Sequence, residues 1–93
     1  MCRNITELRG LQPPATTDEV TAAALQYVRK VSGVRQPPPA AAAAFEAAVA
    51  RVAEATADLL AELPSRRQPP GTVPPLRRPE VRARLGLDTA PQA

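Results

Sequence analysis

The 93-residue chain has no histidine and no tryptophan, and only one cysteine, one tyrosine, one phenylalanine and one methionine. Those absences exclude much chemistry. A zinc site of Cys and His ligands, a Cys–His nucleophile pair and a Ser-His-Asp triad cannot be assembled within one chain. Lysine is scarce too: eleven of the twelve basic residues are Arg, and Lys30 is the exception. No apolar run approaches the roughly 20 residues that span a bilayer. The polar N-terminal stretch does not read as a signal peptide. A lone cysteine without an export signal fits a reducing compartment, so a cytoplasmic protein with no membrane partner is expected.

Alanine and proline are abundant, at 19 and 12 positions. The Ala-Arg-Pro bias matches GC-rich codons and suggests a high-GC bacterium. The Asn4-Ile5-Thr6 sequon reads as chance in a protein that is not exported. The formal charge of +3 is unevenly placed. Residues 1–63 hold six basic and seven acidic side chains, a net charge of −1. The remainder holds Arg66, Arg67, Arg77, Arg78, Arg82 and Arg84 against Glu80 and Asp88, a net charge of +4. The basic character therefore belongs to the tail.

Residues 1–16 read as a lead-in strap. Asn4 and Glu7 are spaced to cap one helical turn, Gly10 to end it, and Ile5, Leu8 and Leu11 to share a side. Pro13-Pro14 then forces an extended stretch. Thr16-Thr17-Asp18-Glu19 spells a capping box, with Thr16 at the N-cap and Glu19 at N3. Val20, Ala24, Tyr27, Val28 and Val31 follow on one apolar face. Arg29 and Lys30 suit the negative end of the dipole, and Gly33 is placed to close the helix. A second helix starts with Pro39 at its first position and runs to Leu63, where Pro64 stops it. Phe45, Val49, Val52, Thr56, Leu59 and Leu63 form a heptad-like seam, widened by Ala48 and Leu60.

The expected fold is all-α. An antiparallel two-helix hairpin spans 17–63, with helices about 17–33 and 39–63, and the strap precedes it. The Pro/Arg-rich tail, 64–93, is expected to be mobile and mostly extended or disordered, with room for one short helix at 79–85. At about 1.5 Å per residue the helices measure roughly 25 Å and 36 Å. The longer one overhangs by about two turns around Leu59, Leu60 and Leu63, and the strap's apolar residues are placed to fold over it. Even so, such a core is thin, and units like this usually pair.

The run Met1-Cys2-Arg3-Asn4-Ile5, then Leu8, Pro13-Pro14-Ala15-Thr16 and the stretch from Ala22 through Leu25-Gln26-Tyr27-Val28-Arg29-Lys30 to Gly33, resembles a bacterial family known as domain of unknown function 2277. The resemblance continues through Pro37, Ala44-Phe45-Glu46, Ala48-Val49, Val52-Ala53, Ala55-Thr56 and Leu59-Leu60, covering about residues 1–63. The family usually has Phe-Asn-Phe where this chain has Arg9-Gly10-Leu11, and another Phe at Val34. Pro38-Pro39 replaces a polar helix start. Three missing aromatics thin the core further. The resemblance implies the shape and a bacterial cytoplasmic origin, and no activity.

Candidate chemistry is sparse. Removal of Met1 would leave Cys2 with a free amine and thiol, a bidentate metal or redox group that one chain cannot complete; a thiol packed beside Ile5 is the plainer reading. The tail arginines could track phosphates, but no aromatics interleave to stack on bases. Arg29, Lys30 and Arg35 make a basic corner, explained equally well by the helix dipole. Tyr27 reads as core. Glu54, Asp58 and Glu62 form an acidic row without a histidine, which reads as a solvated face. No nucleophile–base pair or cofactor loop emerges, so no enzyme and no cofactor are expected. The expected role is that of a small interaction or accessory protein, working by helix packing in a homodimer or a hetero-complex. Ala48, Val52, Ala55, Leu59, Leu60 and Leu63 are the candidate partner-binding residues. Weak, sequence-nonspecific nucleic-acid association through the tail is the alternative, and a metal or redox role of Cys2 a further one.

Overall fold

The computed structural model of the protein describes residues 3–66 and 70–86. Their order is helix α1 (Thr17–Ser32), helix α2 (Pro39–Glu62), a 3₁₀ turn (Pro75–Arg77) and helix α3 (Pro79–Arg84). No strand occurs among the described residues. The two long helices pack against each other, so the architecture is the all-α hairpin that the periodicity predicts.

The capping box sets the start of α1. The Glu19 backbone N–H donates to Thr16 Oγ1 at 3.1 Å, and the Thr16 N–H donates to Glu19 Oε1 at 2.9 Å. Two of the helix's orphan donors are thereby satisfied. At the other end Gly33 takes φ +71°, the left-handed conformation that glycine adopts without strain. Its N–H reaches the Arg29 carbonyl at 3.0 Å.

Helix α2 is made differently. Pro39 sits in its first turn, but neither end has a side-chain cap, and neither an acid in the first turn nor a base in the last complements the dipole. Its persistence rests on alanine propensity and on packing. That packing is slight: none of its 24 residues is buried.

The strap and α1 supply most of the core, with Val81 of α3 also buried. Leu8, Leu11 and Val20 form a buried cluster, with Ala15, Ala53 and Leu60 packed against it. The strap thus covers the overhang on its Leu60 side, while Leu59 stays 56% exposed. Residues 3–10 form turns rather than the expected helical turn. Their polar groups have longer-range partners. The Asn4 N–H donates to Gln26 Oε1, Arg9 donates through Nε and Nη2 to the Pro64 carbonyl, and Arg66 Nη1 pairs with Glu7 Oε2 at 2.6 Å. Ile5 does not join Leu8 and Leu11 inside; it is exposed. Gly10 has φ +87° and lies under the Arg66 side chain, so closely that a Cβ there would stand 2.8 Å from Cδ and 2.9 Å from Cβ.

Beyond Pro64 the described chain is less extended than its prolines predict. Pro74, Pro75 and Val81 are buried. The short helix expected at 79–85 is present as α3.

Candidate functional site

Two concavities flank the C-terminal half of α2. The larger, about 670 Å³, lies between the strap, the first turn of α1 and the end of α2. Leu8, Leu11, Val20 and Leu60 floor it, and Arg9, Arg66 and Glu54 stand in its wall. Both guanidinium groups there are engaged, Arg9 on Pro64 and Arg66 on Glu7.

The smaller, about 270 Å³, is a groove between α1 and α2. Nine residues line it and none carries a charge: Ile5, Thr6 and Leu8 from the strap, Ala23, Ala24 and Tyr27 from α1, and Val52, Thr56 and Leu60 from α2. Tyr27 is 48% exposed, so it is not the core residue its position on the α1 stripe predicts. Its ring borders the groove instead. Val31, expected on the same inner face, is exposed as well. Thr56 donates its hydroxyl to the Val52 carbonyl at 2.7 Å, whereas Thr6 Oγ1 is buried without a hydrogen-bond partner.

The candidate partner-binding residues divide between the two sides of α2. Ala48, Val52, Ala55 and Leu59 recur at spacings of 4, 3 and 4, one stripe along the helix. Val52 lines the uncharged groove, and Ala55 and Leu59 are exposed on the same stripe. Leu60 faces the strap cluster, and Leu63 lines the larger cleft. Leu60 belongs to the chain's own packing, because the step of about 100° per residue carries it to the strap and leaves Leu59 outside, whereas Leu63 remains exposed.

The basic tail is largely engaged with its own chain. Arg77 Nε donates to Glu19 Oε2 at 2.7 Å, and Arg77 Nη2 to Glu19 Oε1 and to the Pro14 carbonyl, both at 3.0 Å. The side chains of this pair are only 9% and 3% exposed. Burial pushes the Glu19 carboxyl up, but the Arg77 and Thr16 hydrogen bonds and the Arg77 charge outweigh it and hold the group below its ordinary value. Arg78 donates to the Val73 carbonyl and Arg82 to the Leu76 carbonyl. Arg84 lies exposed on α3. At the basic corner Arg29 reaches the Arg35 carbonyl, and Lys30 and Arg35 are exposed. Cys2 and Arg67 lie outside the described residues. Among the described residues no group of three His, Cys, Asp or Glu could hold a metal ion, and no helix is long and apolar enough to cross a membrane. The acidic row of α2 is exposed.

Sequence spacing finds the α2 stripe and the capping box. It misses the Arg77–Glu19 pair, which joins residues 58 apart. It also misses the exposure of Ile5 and Tyr27, which depends on how the strap crosses.

A family model described as an uncharacterized conserved protein, DUF2277, matches residues 1–84. The match runs past Pro64 to the last residue of α3, so the folded tail segment belongs to the family's unit, beyond the stretch in which the resemblance is legible by eye. No curated protein and no solved structure matches the chain.

Proposed function

We propose that this chain, which belongs to the DUF2277 family of uncharacterized conserved proteins, is a non-catalytic helical interaction protein that works by packing the outer edge of its hairpin against another protein surface. One observation carries the reading: α2 runs for 24 residues without burying one of them. A helix of that length in a folded unit normally commits a face to a core. Here Ile5 and Tyr27, which line the groove, and Leu59 on α2 remain 42–56% exposed. Large apolar side chains left exposed around a groove are the mark of an interaction surface. The groove's uncharged lining supports apolar packing.

The nucleic-acid alternative draws less support. Arg66, Arg77, Arg78 and Arg82 all donate to the chain's own oxygens, which leaves few free cations among the described tail residues to track a phosphate backbone.

Helical circular dichroism followed through melting, across a wide concentration series, tests the reading. Stability that depends on concentration, or a chain that melts without cooperativity until a partner is supplied, fits an interaction protein. A cooperative transition at one temperature throughout would show that the isolated chain completes its own core, and would overturn it.

A further inference from the structure

We infer that the occupant of this face is a second copy of the chain, docked antiparallel along α2 about a two-fold axis between Val52 and Ala55. The inference rests on the interaction reading above and adds the partner and the register.

Size complementarity comes first. The stripe alternates small and large side chains: Ala48, Val52, Ala55, Leu59. About a two-fold axis between Val52 and Ala55, Val52 lies against the partner's Ala55, and Ala48 against the partner's Leu59. Every layer then pairs a small residue with a large one, which lets the helices approach closely without a void. A two-fold contact of this kind is self-complementary and closes at the dimer.

Charge makes the same choice. Arg51 and Asp58 immediately precede Val52 and Leu59, so both lie on the same edge of the stripe. They are seven residues apart, about 10 Å along the axis, too far to pair within one helix. Both are exposed, and neither forms an ion pair or hydrogen bond with any described residue. Antiparallel pairing brings like edges together, so Arg51 meets the partner's Asp58 and Asp58 meets the partner's Arg51. A parallel pairing would set them against the opposite edge, where Thr56 and Leu63 lie. On that opposite edge Ile5 and Tyr27 extend the apolar surface that the partner covers. Glu62 closes the stripe at one end.

The test uses the full chain and reads its absolute mass by light scattering over a dilution series. The expected species is a dimer. Arg51→Asp or Asp58→Arg alone sets like charges together at both symmetric positions, and each should raise the dimer dissociation constant by about three- to tenfold. The double variant restores opposite signs and should return the constant to that of the unaltered chain. Both side chains are exposed and make no hydrogen bond or ion pair with a described residue, so helicity serves as the control. A dimer indifferent to both reversals, or one not restored by the double variant, overturns this register and leaves the interaction reading standing. A monomer overturns the inference outright. If that monomer melts cooperatively, the interaction reading fails with it; if it does not, the face belongs to a different protein.

Discussion

The Arg77 guanidinium grips the carboxylate of Glu19 with two hydrogen bonds, at 2.7 and 3.0 Å, and so joins the tail to the capping box that starts the first helix. One Glu19 oxygen, Oε1, accepts from both the Thr16 backbone and Arg77. The tail therefore completes the N-terminus of α1.

Removing the guanidinium leaves a buried carboxylate without its counter-charge. Arg77→Ala should cost about 3 kcal/mol of unfolding free energy, near the lower end of what breaking a buried pair costs. Urea denaturation reads this directly. Truncation after Arg66 should lose at least as much, and equal stability of the truncated and full chains would show that the pair is idle.

The same pair gives the fold an acid limit. The Glu19 carboxyl ionises below its ordinary value of 4.5 when folded. Its contribution is therefore fully present above the unfolded value and is lost as pH falls through the folded one. The melting temperature should fall on acidification below about pH 4, and Arg77→Ala should flatten that dependence. A profile unchanged by the substitution would assign the acid sensitivity to other carboxylates.

Gly10→Ala meets two obstacles at once, a left-handed φ of +87° and the Arg66 side chain at 2.8 Å. Because Arg66 Cβ is also in the way, at 2.9 Å, a rotamer change does not relieve it. A loss of about 1–3 kcal/mol is expected. Gly71→Ala is the control: nothing lies within 4 Å of its added methyl. It should stay within about 0.5 kcal/mol of the unaltered chain.

Adjacent leucines should behave differently. Leu60 packs on the strap cluster, so Leu60→Ala should cost about 2 kcal/mol at every protein concentration. Leu59 is exposed, and Leu59→Ala should act only through association, with an effect that vanishes on dilution. Equal losses at low concentration would mean that Leu59 is core after all. Chemical denaturation at two concentrations separates the cases.

The long helices were legible in the sequence because their determinants are local. Thr16 and Glu19 specify a start, Gly33 and Pro64 specify ends, and apolar spacing marks the faces. The crossing of the strap was legible in outline, since an overhang must be covered, and Leu8 and Leu11 do cover it at Leu60. The rest depends on contacts between distant residues. Tyr27 fits the apolar stripe by spacing, yet lies at a groove edge, while Val20, Ala24 and Val28 of the same helix are buried. Arg77 looks like one arginine among six, and only its position against Glu19 distinguishes it. For the candidate face, spacing picks out the stripe of Ala48, Val52, Ala55 and Leu59, but that Leu60 beside it is part-buried depends on the strap that covers it.

A hairpin alone would be a molecule of short-range contacts, quick to form. Three ties change that: Arg9 to Pro64, Arg66 to Glu7 and Arg77 to Glu19, across 55, 59 and 58 residues. Each closes a long loop, and closure entropy must be met before the contact rewards it. Helicity should therefore arise in refolding before the protection of residues 70–86, a sequence that pulsed hydrogen exchange resolves and that simultaneous protection would refute. During synthesis the same order is imposed by the chain itself. A growing polypeptide that has emerged as far as residue 66 carries both long helices, while Glu19 waits for a partner that has not yet been made.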